Sequence, residues 1–595
     1  MARPAGPTAV SATALTSNMA AAAPRLSSGM AGDSGSRAAL DRLNAAVSEL
    51  RALAVQPLLQ RAIDELNSGS GQSAAEWAIK ALELDERSGM CWYVLAVARE
   101  KAGDFVGSIT CYEAALKLLP DHAEIANNLG RLAFRLGQVE VAEQLFRHFL
   151  DRFPGHPEGA NNLGCALRSQ GRLPEALEVL KASIESDPSY AVVWNTLGTI
   201  MAELGDTENA EIFFDEALRL DPGFSKARYN RGNMRMALGH LHPALEDCER
   251  ALAETTAPDE QIMMRLARST LLINLGRVGE GWDEYESRLD PQFADVTQFQ
   301  VPRPRWTPGA DLAGKSLLLI GEQGLGDEVL FANTLFDLLG GLGPKGRLTL
   351  AVEPRLVSLF QRSFPSARVG AHATYSVDGR TFRTLPFLAD DMDKIDLWAP
   401  LASVLREFRR DVAAFPAQSG YMTPDPDRVA HWRGQLDLAP AGLKVGLLWK
   451  SAITNSGRHR FFSAFEQWAP VLATPGVTFV NLQYGDCERE LAQAKTQFGV
   501  ELWLPPGIDL KQDLDDVAAL STALDLVIGF SNATFNIAAA GGVPAWLIST
   551  PGAWPRLGTD RYPWYPQVRV FLPPSFADWD PVMADIARAL AAHLT

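Results

Sequence analysis

The chain has 595 residues, of which 47% are hydrophobic, and it carries a formal net charge of −16 at pH 7. This length predicts several domains, and the negative charge argues against nucleic acid or an anionic membrane surface as the main partner. The five cysteines are scattered without a CxxC pair, which favours reduced thiols in a cytoplasmic protein. No apolar run approaches the ~18 residues of a membrane span, so we expect a cytoplasmic chain without one.

The N-terminal stretch is rich in Ala, Ser, Gly and Pro. A secretory signal needs a basic start and a continuous apolar core, and polar residues interrupt any such core here. A segment of this composition cannot bury enough apolar surface to fold. We therefore predict a disordered tail over residues 1–36.

Residues 37–289 are helical in pattern and contain a period of 34 residues. Equivalent leucines recur at this spacing: Leu95, Leu129, Leu163 and Leu197. Prolines close successive units: Pro120, Pro154, Pro188 and Pro222. The pattern resembles the tetratricopeptide repeat, in which small residues let paired helices cross closely. It predicts an α solenoid in which each unit packs on its neighbours and an inner groove is left.

One position of the repeat carries an amide side chain in three units, Asn128, Asn162 and Asn230, with Thr196 interrupting the series. An amide can both donate to and accept from a peptide unit, whatever side chain that unit carries. The series resembles the asparagine ladder of O-GlcNAc transferases, which grips the backbone of an extended protein substrate. We therefore predict that these asparagines bind a protein acceptor. The alternative is that they contact only water.

Residues 290–314 are Pro-rich and irregular, and they predict a linker. Strand–helix alternation follows, in a first half over residues 315–423 and a second half over residues 424–595, which together predict an α/β region. The predicted strands are Ser316–Ile320, Arg347–Val352, Ala367–Ala371, Arg383–Leu388, Lys444–Trp449, Val477–Leu482, Glu501–Leu504, Leu524–Ile528 and Ala545–Ile548, and a closing helix is predicted at Pro581–His593. Two Rossmann-like halves with a cleft between them describe the GT-B fold of glycosyltransferases.

The first predicted strand runs into the loop GEQGLGDE. Gly321, Gly324 and Gly326 allow a tight turn and a close approach to a ligand. Asp327 then lies at a helix start at the carboxyl end of a strand, where open α/β sheets bind their ligands. The spacing matches neither a P-loop nor a dinucleotide fingerprint. The alternative is a simple strand–helix turn with Asp327 as the helix N-cap.

The order of motifs carries a family resemblance. The chain reads GWxxYExR at 281–288, PxW at 304–306, GEQGLGDE at 321–328, VGLLW at 445–449 and PWYP at 563–566. This order resembles bacterial tetratricopeptide-repeat proteins with a heptosyltransferase-like GT-B domain, and most of all the flagellin glycosyltransferases of alphaproteobacteria. The resemblance implies an inverting, metal-independent O-glycosyltransferase that docks flagellin on its repeats and supports flagellum assembly and motility.

The resemblance also implies a general base. The LGD aspartate of the heptosyltransferase family is the candidate base for an acceptor hydroxyl, and Asp327 occupies that position. A carboxylate in a desolvated cleft can take the hydroxyl proton as the new C–O bond forms. Glu322 and Glu328 are the substitutes if Asp327 only caps the helix.

Two polar segments are candidates for donor binding. The loop after the strand at 444–449 carries Lys450, Ser451, Arg458 and Arg460, and in related enzymes this loop binds the donor phosphate, which arginine can hold with a fork of donors. The alternative for this loop is a basic surface. Ser531, Asn532 and Asn536 open a helix after the strand at 524–528, where free backbone N–H groups favour an anion. Gln483 is a weaker candidate for contact with the base or ribose.

Relatives usually carry Asp, Thr and His where this chain has Ser531, Asn532 and Asn536. The neutral side chains leave room for a donor with its own carboxylate, and flagellin-modifying relatives use nonulosonic acids such as pseudaminic acid. We therefore expect a CMP-linked nucleotide sugar, no metal and no further cofactor. One alternative is an envelope heptosyltransferase acting on the lipid A core. The other is a non-catalytic repeat adaptor.

Overall fold

The computed structural model describes residues 33–293, 295–377, 380–451 and 461–594. By its internal contacts the chain divides into two compact units, one ending at Ile200 and the other beginning at Met201. The predicted tail over residues 1–36 lies outside the described residues except at its end. That end is helical, because the first helix begins at Asp33.

The first unit consists of packed helices. Their bounds are α1 Asp33–Asn67, α2 Gly71–Leu84, α3 Gly89–Lys101, α4 Phe105–Leu118, α5 Ala123–Arg135, α6 Val139–Arg152, α7 Pro157–Ser169 and α8 Leu173–Ser186, followed by α9 Ala191–Leu204 at the division between the units. Gly130 shows why the repeat needs a small residue after its leucine. A Cβ atom there would lie 2.7 Å from Cε1 of Phe146, so the two helices of the unit cross too closely for any side chain. The recurring leucines are buried, which confirms the predicted repeats.

The second unit begins with further helices of the same kind: α10 Thr207–Leu220, α11 Ser225–Ala237, α12 Leu241–Glu254, α13 Pro258–Asn274 and α14 Val278–Tyr285. A turn of 3-10 helix, Glu286–Leu289, ends this helical part. The sheets follow.

The strands are β1 Thr297–Phe299, β2 Ser316–Ile320, β3 Arg347–Val352, β4 Arg368–Ala371, β5 Ala373–Val377, β6 Arg380–Thr384, β7 Leu397–Pro400, β8 Leu443–Leu448, β9 Val477–Asn481, β10 Leu526–Phe530, β11 Ala545–Ile548 and β12 Val568–Phe571. Two sheets are wholly parallel, with orders β4-β3-β2-β7 and β12-β11-β10-β8-β9. In the third sheet β6 pairs parallel with β1 and antiparallel with β5. Continuous apolar runs such as that of β2 fit strands covered on both faces.

The helices of the α/β part are α15 Leu325–Phe331, α16 Leu335–Leu342, α17 Val357–Ser363, α18 Leu405–Phe408, α19 Pro426–Asp437, α20 Ala469–Leu472, α21 Glu488–Gln497, α22 Leu514–Ala523, α23 Ala533–Ala540 and α24 Trp579–His593. Helical repeats followed by parallel sheets are therefore the architecture of this chain.

Some predicted strands differ in the structure. The strand predicted at Arg383–Leu388 is β6 shifted towards the N-terminus, because Pro386 lacks the N–H of a strand ladder and begins a 3-10 turn. The strand predicted at Glu501–Leu504 is reduced to one bridge between Val480 and Trp503. The sequence did not predict β1, β5, β7 or β12, whose three to five residues are too short for a clear period.

The segment 290–314, predicted as a linker, is packed against β7. Trp306 is only 3% exposed, and its backbone N–H donates to the Trp398 carbonyl at 2.7 Å. The Trp398 indole in turn donates to the Arg303 carbonyl at 2.9 Å. The division between the compact units falls within the repeats and not in this segment.

Candidate functional site

The glycine loop leads from β2 into α15. Gly324 is the N-cap of this helix and Asp327 its third residue, so Asp327 is not the N-cap itself. Its Oδ2 accepts a hydrogen bond from the Gly324 backbone N–H at 3.1 Å. The side chain is half-buried. The cap therefore fixes the direction of the carboxylate while leaving it partly accessible.

Glu328, the next residue, is only 1% exposed. Its Oε2 accepts from the Glu353 backbone N–H at 2.8 Å, and its Oε1 lies 3.1 Å from Nε2 of His372. A Cβ atom on Gly321 would lie 2.3 Å from the Glu328 carboxyl carbon, so glycine is required beside it. Glu328 stabilises the loop through these contacts. Because its carboxylate is buried and bonded, the structure argues against it as a substitute base.

Glu322 forms a buried ion pair with Arg288, and both side chains are only 3% exposed. The guanidinium reaches both carboxylate oxygens, with Nε to Oε2 at 2.9 Å and Nη2 to Oε1 at 2.7 Å. The backbone N–H of Ala402 adds a further bond to Oε1 at 2.9 Å. Burial alone would lower the pKa of Arg288, but the Glu322 carboxylate raises it well above its usual value. Both oxygens are occupied, so the structure argues against Glu322 as a catalytic base.

The GWxxYExR motif attaches the last repeat helices to the sheets. Arg288 also donates from Nη2 to Ser403 Oγ at 3.1 Å, and its guanidinium stacks over the Tyr285 ring at 4.3 Å. The buried Trp282 donates from its indole to the Arg409 carbonyl at 3.0 Å. In the sequence this motif was used only for the family resemblance, and no structural role was predicted for it. Its aromatic residues and arginine at the end of the repeats were the available signal of a docking element.

The second polar turn follows β10 and opens α23. Asn532 is the N-cap, with Oδ1 accepting from the Phe535 N–H at 2.9 Å. The Asn536 Nδ2 donates to the Asn532 carbonyl at 3.0 Å. Among the described residues, no hydrogen-bond partner reaches Asn532 Nδ2 or Asn536 Oδ1, although both atoms are buried. Unpaired buried polar atoms of this kind call for an explanation, and a bound ligand group is one.

The two turns meet at Gly326. A Cβ atom there would lie 3.3 Å from Cα of Ala533 and 3.3 Å from Nδ2 of Asn536, so α15 and α23 start side by side. Ser531 Oγ lies 3.3 Å from the Tyr562 hydroxyl. Burial raises the pKa of Tyr562, and the nearby Asp327 carboxylate raises it further. The structure thus brings the predicted base and the predicted donor turn to one place.

Three tyrosines line this meeting point: Tyr421, Tyr562 and Tyr565. The sequence singled out Tyr565 within the PWYP motif, but not Tyr421 or Tyr562. The Tyr421 hydroxyl donates to the Val329 carbonyl at 2.8 Å, and its ring stacks on Tyr565 with centroids 5.9 Å apart. Burial raises the pKa of all three phenols, so they stay protonated as neutral donors. They form one side of the site near Asp327.

Some of the other residues predicted to bind the sugar donor already bond to protein groups. Gln483 is only 1% exposed, and its Oε1 accepts from the backbone N–H groups of Trp449 and Lys450 at 3.0 and 2.9 Å. It shapes the turn after β8, and the structure argues against it as a contact for base or ribose. The Lys450 ammonium pairs with Glu490. Ser451 ends the described part of this loop, and Arg458 and Arg460 lie outside the described residues.

The predicted asparagine ladder is buried in the first unit. Asn128 is 1% exposed, and its Nδ2 donates to the Tyr93 hydroxyl at 2.7 Å. Asn162 is 4% exposed, and its Nδ2 donates to Asn127 Oδ1 at 3.0 Å.

The same offset of 35 residues links Thr196 Oγ1 to Asn161 Oδ1, at 2.6 Å. The side chain at the ladder position therefore forms a hydrogen bond to the preceding repeat, and Thr196 continues this series instead of breaking it. The structure argues against Asn128 and Asn162 as acceptor contacts. Asn230, in the second unit, is half-buried.

A cavity of about 420 Å³ lies beside the Arg288 network, with Asp283, Glu286 and Arg305 in its lining. In the described parts of the chain, no group of three or more His, Cys, Asp or Glu side chains is arranged to hold a metal ion. None of the helices described there combines the length and the apolar character of a membrane span.

Comparison with known proteins identifies one family and one near relative. Residues 93–157 and 161–225 match the tetratricopeptide repeat family. Protein FlbA of Caulobacter vibrioides is 51% identical over 559 residues, which cover 94% of this chain and 94% of that protein.

Solved repeat proteins are similar to part of the chain. A thermophilic TPR protein of Thermus thermophilus is 25% identical, over 31% of this chain and 100% of that chain, with a TM-score of 0.28. MamA of Desulfovibrio magneticus is 20% identical, over 29% of this chain and 97% of that chain, with a TM-score of 0.27.

Replacing Arg288 with Ala should destabilise the second unit strongly, because it leaves the Glu322 carboxylate buried and unpaired. The expected loss is about 3–5 kcal/mol in the free energy of unfolding, measured by urea denaturation. The double variant Arg288→Met/Glu322→Leu, which removes both charges, should recover most of this loss.

The exposed ion pair of Arg277 with Glu280 provides the matched control for this experiment. Arg277→Ala should leave the urea midpoint unchanged, since exposed pairs contribute little. Equal effects of Arg288→Ala and Arg277→Ala would contradict the docking role of the buried pair.

Proposed function

This chain belongs to the family of Protein FlbA, and we propose that it is a protein O-glycosyltransferase that docks flagellin on its repeats and transfers a sugar to Ser or Thr hydroxyls. One observation carries the proposal. The glycine loop and the Ser531–Asn532 turn follow β2 and β10, inner strands of the two parallel sheets, and meet at Gly326. Ligands of open α/β sheets bind at the carboxyl ends of strands. Two parallel sheets whose inner strands lead into neighbouring turns support the interpretation as Rossmann-like halves of a GT-B enzyme.

Asp327 is the proposed general base. Of the three acids in the GEQGLGDE loop, Glu322 and Glu328 are buried and fully engaged, whereas Asp327 is half-buried at the meeting of the turns. Its bond to the Gly324 N–H holds the carboxylate in one direction. In the proposed reaction Asp327 takes the proton of the acceptor hydroxyl while the hydroxyl oxygen attacks the anomeric carbon. The nucleotide leaves with the bonding electron pair, and the anomeric configuration inverts.

The start of α23 is the proposed site of the donor phosphate. Backbone N–H groups at a helix start favour an anion, and the helix has eight residues, with Asn532 as its cap. The unpaired Asn532 Nδ2 and Asn536 Oδ1 offer a donor and an acceptor to polar groups of the sugar or nucleotide.

The side chains that open α23 are neutral: Ser531, Asn532 and Asn536 stand where the resembling heptosyltransferase family usually carries Asp, Thr and His. A sugar with its own carboxylate would be repelled by an acid there, at a cost of order 1 kcal/mol or more. We therefore propose a CMP-linked nonulosonic acid as donor.

A second candidate, a non-catalytic adaptor for a flagellar protein, is favoured by a different observation. Gln483 and Lys450, both predicted to hold the donor, are engaged with backbone and with Glu490. The cap bond of Asp327 is likewise what a purely structural turn would have. An adaptor would bind the acceptor through its repeats and leave it unmodified.

The variant Asp327→Asn separates the two candidates. An amide oxygen can keep the cap bond to Gly324, but it cannot take a proton, so transfer should fall by about 10²–10⁴. Intact-mass spectrometry of flagellin from cells that carry the variant measures this, and a pull-down should show unchanged flagellin binding. Asp311→Asn, an exposed acid outside the site, is the control. Normal flagellin glycosylation with Asp327→Asn would rule out this residue as the base.

Donor choice is tested by calorimetry of the full chain with CMP, UDP and ADP. We expect CMP to bind most tightly. Ser531→Asp should weaken binding of a CMP-nonulosonate by tenfold or more, at about 1.4 kcal/mol per factor of ten, and weaken binding of CMP, which lacks the sugar carboxylate, by less. Tighter binding of UDP or ADP than of CMP would overturn the donor assignment.

A further inference from the structure

Helix α1 contains a long exposed stretch. Every residue from 38 to 54 is solvent-exposed, and the next residue, Val55, is buried. This stretch nevertheless carries large apolar side chains: Leu40, Leu43, Val47, Leu50 and Leu53, with exposures of 56%, 60%, 38%, 67% and 56%. Monomeric proteins rarely expose a continuous apolar patch beyond a few hundred Å², and a larger one marks an interaction site.

The spacing of these residues is that of a coiled coil. Leu40, Leu43, Val47 and Leu50, together with Ala54, are separated alternately by three and four residues, which is the a/d pattern of the heptad, and Leu53 lies at a g position beside this seam. A helix that packs into a globular core shows a wider apolar face. Leucine lies at both d positions, 43 and 50, and the β-branched Val47 at the central a position, between Leu40 and Ala54; leucine at d with a β-branched residue at a favours two parallel strands.

An isolated helical segment of this length has little stability of its own in water, because helix formation in short peptides is marginal. In the described parts of the chain, nothing packs on residues 38–54. A partner that covers the a/d seam would stabilise the segment.

The charges on this segment are compatible with a second copy. Asp41, Arg42, Glu49 and Arg51 cancel, although the whole chain carries −16, so two copies of the segment can approach without net repulsion. In a parallel pair, the g position of one helix faces the following e position of the other. Arg51 then faces Ala46 of the second copy, and no like charges meet along the seam.

We propose that residues 38–54 form a parallel two-stranded coiled coil with a second copy of this chain. The resulting dimer carries two sets of repeats on one particle. A partner with two contact sites then binds more tightly than to one chain alone, because the second contact is intramolecular.

The test is the molar mass of the full chain by sedimentation equilibrium, from low to high micromolar concentration. The wild-type protein should have twice the mass of one chain. The variant Leu43→Glu/Leu50→Glu, which places charges in the seam, should have the mass of one chain. Ala45→Glu/Ala52→Glu adds the same charges at f positions on the opposite face of the helix, and it should remain dimeric. Glutamate is a good helix former, so circular dichroism should show the repeats folded in all three proteins, with a small loss of helix confined to the monomeric seam variant.

Orientation is tested by cysteine cross-linking. Val47→Cys places two thiols face to face in a parallel, in-register pair, and oxidation should link the two chains. Ala45→Cys, on the outer face, should give far less linked product. A wild-type chain that is monomeric throughout, or a seam variant that remains dimeric, would overturn the proposal. So would a monomer that uses this seam to bind flagellin.

Discussion

A buried ion pair between Arg288 and Glu322 holds the second unit in a single arrangement. Removing two charges from water costs several kcal/mol for each ion unless both are fully paired. Here the guanidinium reaches both carboxylate oxygens, and Ala402 and Ser403 complete the network. Loss of either partner would leave an uncompensated charge, so the network favours one geometry. It fixes the end of the repeats to the loop that presents Asp327.

Small residues let the two polar turns come together. Gly321 gives room to the Glu328 carboxylate under the loop, and Gly326 lets α15 lie against the start of α23. A side chain at Gly326 would press on Ala533 and Asn536 and push the start of α23 away from α15 by a few tenths of an ångström. Buried tyrosines complete the wall and remain neutral, because burial raises the pKa of each phenol. The site therefore depends on the close approach of two backbone segments and contains few charged side chains.

The sequence predicted the regular parts of this fold and misjudged several partners. The period of 34 residues and the apolar run of β2 are local signals, and they predicted the repeats and the parallel sheet correctly. The role of Glu322 depends on an arginine 34 residues upstream, which no local pattern reveals. The Asn128 side chain likewise donates a hydrogen bond to Tyr93, 35 residues before it. That offset is one repeat plus one residue. A search of the sequence for polar residues at this offset in neighbouring repeats could have revealed the pair.

The most direct test of the account is a reaction of the purified full chain with unmodified flagellin and a CMP-nonulosonate, in the presence of EDTA. The account predicts that the intact mass of flagellin rises by whole nonulosonate units and that free CMP appears in equal amount. Flagellin that binds to the chain but keeps its original mass, with the CMP-sugar hydrolysed no faster than in buffer, would contradict it.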